Sequence, residues 1–183
     1  MNELEGLARS QPLDRHGHRG LHASEMAYNP VRQPDLDAAQ RLIAQCDAVQ
    51  VVVMVRTWVT GVLSSEDARQ ICLTDLATYF QAEGPLDGIT LDTRDNLGRT
   101  AKSGKAESGS KNARDLRTLR DLMAVGELDP GVKVFHARDE VVRQLWIPDI
   151  AGYVVARSIA RHDPGYRRIL ADKVQIREVA RSA

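Results

Sequence analysis

The sequence is short of several things, and each shortage excludes a class of protein. Only two cysteines occur in 183 residues, Cys46 and Cys72. Neither belongs to a Cys-x-x-Cys pair, and each falls in an apolar helical pattern. Both therefore read as small buried hydrophobes rather than metal or redox groups. Neither sign of charge is in excess: Lys plus Arg and Asp plus Glu are 25 each, for a formal net charge of zero. A strongly basic chain that coats nucleic acid by charge alone is excluded, while a local basic patch is not. No apolar run approaches the ~18 residues that a membrane span needs. The opening stretch, MNELEGLARSQPLDRHGHRG, has no apolar signal core, so the expected location is the cytoplasm. There is no Walker loop, no Gly-x-Gly-x-x-Gly and no Gly-x-Ser-x-Gly, which argues against the common nucleotide-binding and serine-hydrolase classes.

What is present is a globular composition, 43% apolar, at a length that suits about one domain. Residues 1–34 are polar and punctuated by Pro12, Pro30 and Pro34, and they read as an irregular arm. A single α/β domain is expected from 35 to 183. Asp35 or Asp37 can cap a helix to about Cys46, with Leu36, Ala39, Leu42 and Ile43 on one face. VQVVVMVRTW, residues 49–58, is β-branched and apolar on both faces, as a central strand is. Ser64, Ser65, Glu66 and Asp67 open a helix that stops before Gly84 and Pro85, with a stripe of Ala68, Ile71, Cys72, Leu76, Tyr79 and Phe80. DGITLDTR, residues 87–94, is a second strand.

Residues 95–112 are rich in Gly, Ser and Lys and have almost nothing to bury, so a flexible loop is expected. A helix carrying Leu116, Leu119, Leu122 and Met123 follows, ended by Gly126. GVKVFHA, residues 131–137, is a third strand. The apolar stretch from Val141 to Ala160 contains Pro148, so it either starts near Ile147 or kinks. A short helix at 166–170 and a strand at 173–179 close the chain. Strands and helices alternate, which is the pattern of α/β layering.

The residues with most chemistry are acids. Asp92 follows Ile89 and Leu91 at the carboxyl end of a strand, where open α/β sheets gather ligands. With Asp95 nearby, carboxylate oxygens there suit a divalent cation. The alternative is that Asp92 closes the strand as a turn residue and pairs with a cation such as Arg94. Asp149 stands in the apolar stretch QLWIPDIAGYVVARSI, where a lone carboxylate is costly unless it is paired or ligates a metal. It either sits in a helix first turn, stabilised by the dipole, or points at a site near a strand end. Trp146 reads as core. His16 and His18 match no zinc spacing. His136 ends a strand beside Arg138, Asp139 and Glu140, where a loop role is expected over a role at the site.

The ordered set LHASEM, a Val-rich strand, ITLDTRD, a Gly/Ser-rich loop, ARDLRTLRDL, VKVFHARDE and QLWIPDIAGYVVARSI resembles the bacterial family known as domain of unknown function 3800. The resemblance covers roughly residues 20–180. It implies an RNase H-like mixed sheet flanked by helices, N-terminally shortened, because the family's first strand with Asp-Glu-Ser-Gly has no counterpart. It also implies a metal-dependent nuclease or transposase-like phosphodiester hydrolase, with nucleic acid as the partner. Asp92 would be the strand acid and Asp149 the helix acid around Mg2+ or Mn2+, with Asp95 or Glu140 assisting. The loss of one acid keeps a second class open, a non-catalytic binding or regulatory module. A sheet edge exposed by the absent strand would favour homo-oligomers.

Overall fold

A computed structural model describes residues 3, 6–7, 21, 23–56, 63–94, 111–139, 141–170 and 172–179. It is an α/β structure in which helices accompany two separate two-stranded sheets. The chain divides into two compact units. The first takes residues 1–53 and 138–177, and the second takes 54–137 and 178–183.

The first unit is mainly helical. Its elements are α1 (Ala23–Tyr28), α2 (Gln33–Gln45), a 3₁₀ turn (Arg143–Leu145), α5 (Trp146–Arg161) and a 3₁₀ segment (Pro164–Leu170). Strands β1 (Val51–Val55) and β4 (Val174–Glu178) pair with each other. The Val51 N–H donates to the Lys173 carbonyl and the Val179 N–H to the Val55 carbonyl, so the two strands run parallel. The core joins Leu21, Met26, Leu36, Ile43, Trp146, Ile150, Val154 and Leu170. Each such side chain contributes about 1.5–3 kcal/mol by leaving water. Trp146 is buried, as expected, and its indole N–H donates to Asp139 at 3.1 Å.

Here the sequence reading needs correction. The segment read as an irregular arm contains α1, and Leu21, Ala23 and Met26 are fully buried in the core. Six residues are too few to display a helical period, so the pattern is invisible before packing. Of the two compact units, the first draws on residues 21–28. In α5, Pro148 is the third residue. The first turn has no intrahelical acceptor for its N–H groups, so proline breaks no bond there. The helix therefore begins beside Ile147 without a kink.

The second unit is built from α3 (Ser65–Glu83), β2 (Gly88–Asp92), α4 (Lys111–Ala124) and β3 (Lys133–Ala137). The Ser64 hydroxyl accepts the Asp67 N–H at 3.1 Å and so caps α3. The buried residues of α3 are Ala68, Leu73 and Ala77. Of the expected stripe only Ala68 is among them, because apolar residues wrap most of this helix and no one face stands out. Gly126, at φ +78°, turns the chain out of α4. Strands β2 and β3 are parallel, with Ile89 opposite Val134, Leu91 opposite His136 and Asp92 opposite Ala137. A parallel pair needs a crossover, and α4 lies in it. The core here is Leu73, Ala77, Leu119, Leu122, Leu128 and Val132, with Ile89, Leu91 and Val134 packed on it.

Candidate functional site

Strand alternation sorts the chemistry of the second unit onto two faces. Ile89, Leu91 and Val134 point into the core, so His136, opposite Leu91, shares their face. Thr90 and Asp92 therefore face the other way. Asp92 is exposed at the carboxyl end of β2, the position expected of it. The Thr93 N–H continues the pairing to the Ala137 carbonyl at 2.9 Å, so the strand end that carries Asp92 is held firmly.

The inward face carries a polar centre that the sequence reading missed. Asp115, in the second turn of α4, is fully buried. Its Oδ1 accepts from Gln70 Nε2 at 2.9 Å, Arg94 at 3.0 Å and Arg69 Nε at 3.4 Å. Its Oδ2 accepts from Arg69 at 3.1 Å, and His136 Nε2 lies 3.6 Å away. That nitrogen makes no hydrogen bond among the described residues. Burial works to raise the Asp115 pKa, but the hydrogen bonds of Arg69 and Gln70 and the charges of Arg69 and Arg94 outweigh it, and the carboxyl stays below its ordinary value.

Around this buried acid lies a second shell of pairs. Arg94 grips Glu66 with two hydrogen bonds, 2.9 and 2.8 Å long. This bidentate grip pulls the Glu66 pKa down to about 2, with help from Gln70. Arg94 also donates to the Lys111 carbonyl at 3.1 Å, and its backbone N–H donates to Asn112 at 3.0 Å. The carboxyl end of β2 is thereby tied to the first turn of α4. Thr118 completes the network by donating to Gln70 Oε1 at 2.6 Å. The charges match: Arg69 and Arg94 face Glu66 and Asp115. Such a centre fixes geometry and neutralises its own acids.

The sequence did hold a signal for Asp115. It precedes the buried Leu119 and Leu122 by four and seven residues, which places it on their face. An acid on an apolar stripe demands a cation, and Arg69 and Arg94 supply two. The reading of Asp92 as the partner of Arg94 passed over this acid. His136, expected at the end of the strand at 131–137, lies within β3 and is mostly buried.

Asp149 belongs to the first unit. It lies in the first turn of α5, and its Oδ2 accepts the Ala23 N–H at 3.1 Å. Ala23 opens α1, so its N–H has no acceptor within that helix. Of the two readings open for Asp149, the first-turn placement is realised, and the carboxylate also caps a neighbouring helix. Asp95 and Glu140 lie outside the described residues, as do His16 and His18 and residues 95–110 of the loop expected at 95–112, whose last two residues open α4 instead. Among the described residues, no group of three or more His, Cys, Asp or Glu can hold a metal ion. Also among them, no helix is long and apolar enough to cross a membrane. Cys46 and Cys72 are unbridged and half-buried, and burial raises the Cys72 pKa. Comparison with models of protein families, with curated proteins and with solved structures returns no match.

Proposed function

We propose that this chain is an RNase H-like protein that acts on phosphodiesters with a divalent cation. The observation that carries this reading is the exposed Asp92 at the carboxyl end of one of two parallel strands. Ligands of open α/β sheets collect at such ends. Magnesium keeps several waters and takes only one or two protein carboxylates when a substrate phosphate supplies further oxygens. Asp92 offers a hard oxygen donor of that kind, exposed at the strand end. The family resemblance adds Asp95 as an assisting acid. Mg2+ or Mn2+, when bound, would lower the pKa of a coordinated water for attack on phosphorus. The contribution of the chain itself is rigidity: the Arg94–Glu66–Asp115 network holds Arg94, two residues beyond Asp92, in place.

A second reading, a non-catalytic binding or regulatory module, is supported by a specific observation. The acids of the buried network are committed to arginines, and the Asp149 carboxylate is engaged by Ala23. One experiment separates the two. Calorimetric titration with Mg2+ or Mn2+ is followed by cleavage of short DNA and RNA, for the natural chain and for Asp92→Asn. The nuclease reading expects metal-dependent cleavage that falls by at least about 100-fold in Asp92→Asn, the upper end of what the loss of even an outer-shell partner costs. Equal behaviour of the two proteins removes the metal reading and leaves the binding module.

A further inference from the structure

Aromatic residues are scarce in this chain, and one of its two phenylalanines stands in solvent. Phe135, the middle residue of β3, is 50% exposed. A single exposed ring needs no explanation by itself. Its meaning comes from the face on which it stands. The register sets Gly88 opposite Lys133, Thr90 opposite Phe135 and Asp92 opposite Ala137. Strand alternation turns these residues away from Ile89, Leu91 and Val134, which pack on the core of the second unit.

The outward face therefore carries three chemistries in a row. Lys133 and Asp92 are both exposed, one toward each end, and Phe135 lies between them. Phe135 is roughly 7 Å beyond Lys133 along the strand. Asp92 is two residues further and one strand across, about 8 Å from Phe135 by the same geometry. Every nucleobase has a π-face that stacks on an aromatic ring, whatever its sequence. In a duplex that face is taken by neighbouring bases, so an exposed ring serves an unstacked one. The ammonium of Lys133 complements a backbone phosphate. Ring and cation thus match the two repeating parts of a single strand, and they stand on the same face as Asp92.

We propose that this face binds single-stranded nucleic acid, with one base stacked on Phe135. One of the phosphates flanking that base lies toward Lys133, and the other lies toward Asp92. Base ring and phosphate are common to DNA and RNA, so the face takes either strand in preference to a duplex. This deepens the phosphodiester reading by naming an unpaired strand as substrate, and it rests on that reading for what happens to the strand once bound. The binding itself needs no metal and can be measured apart from cleavage.

The test is fluorescence anisotropy of the full chain in EDTA with fluorescein-labelled oligothymidylate and oligouridylate. They are set against an abasic DNA strand and a DNA duplex of the same length. Both single strands are expected to bind at least about tenfold tighter than the abasic strand and the duplex. Phe135→Leu keeps an apolar side chain and removes the ring. It is expected to weaken both single strands about tenfold and to leave the abasic strand unchanged. Half of the ring lies in solvent, so Tm is expected to stay nearly the same, and lost stacking is not confused with lost folding. Phe135→Tyr keeps a ring and is expected to keep the binding. Lys133→Gln is expected to weaken all strands alike and to lower the salt dependence by about one phosphate contact. Equal binding of oligothymidylate and the abasic strand overturns the proposal, as does unchanged strand binding by Phe135→Leu. Self-association that Phe135→Leu abolishes, without any strand binding, assigns the face to a second copy and also overturns it. Strand binding that depends on Phe135, with no cleavage in Mg2+ or Mn2+, upholds the single-strand site and removes only the hydrolytic reading. Cleavage that depends on Asp92 but not on Phe135 does the reverse.

Discussion

The two units solve the problem of an interior in opposite ways. The first is closed by hydrocarbon: Leu21, Met26, Ile43, Trp146, Ile150 and Val154 meet with hardly any charge among them. The second buries a complete carboxylate beside its leucines and surrounds it with two guanidinium groups, a glutamine and an imidazole. Hydrocarbon packing is tolerant, because similar shapes exchange at small cost. A buried ion network is not, because removal of one member strands the others. The second unit has therefore accepted sensitivity in return for a fixed geometry around Arg94, two residues beyond Asp92.

The sharpest way to break this contrast is Asp115→Ala. It takes the buried carboxylate from Arg69 and leaves Arg94 with Glu66, and is expected to cost about 3–5 kcal/mol in denaturant unfolding. Ile150→Val in the other core is expected to cost about 0.5–1.5 kcal/mol, independent of pH. Similar losses for the two would erase the distinction.

Acid should separate the units next. The folded pKa of Glu66 is about 2 against an ordinary 4.5, and that of Asp115 is lowered as well. A depressed carboxyl stabilises the fold fully above its ordinary value, and that contribution is lost as pH falls through the folded value. Amides of α3 and α4 are expected to lose hydrogen-exchange protection between pH 4.5 and 2, ahead of those in α5. Glu66→Gln should flatten that slope, and an unchanged slope would remove Glu66 from the account. The smallest effect is local: Ser64→Ala removes the cap of α3 and is expected to cost about 1 kcal/mol by thermal unfolding.

Much of the local structure was legible. Ser64, Gly126 and Pro148 mark helix ends by steric and hydrogen-bonding rules that need no knowledge of the fold. The strand that ends in Asp92 was equally plain. Faces were harder to read where apolar residues encircle a helix, as the stripe of α3 shows. Pairing was harder still: nothing local tells β2 that its neighbour is β3, because parallel strands find each other across a crossover. The polar centre falls between these cases. Asp115 was readable as an acid on the Leu119–Leu122 face, but Arg69 and Arg94 become its partners only after folding. The choice between two roles for Asp149 likewise needed Ala23, 126 residues away in sequence.

The division of the chain also fixes an order of events. The first unit is interrupted after Val53 and resumes at Arg138, with most of the second unit between. As the ribosome emits the chain from its N-terminus, α1 and α2 emerge without α5, the helix that supplies Trp146, Ile150 and Val154 to their shared core. At ~5–20 residues per second their apolar faces remain uncovered for several seconds. Over the same interval α3, β2, α4 and β3 emerge in one continuous run and can condense around Asp115. The inserted unit is thus positioned to mature first, and the nascent first unit is where a chaperone would find exposed hydrocarbon.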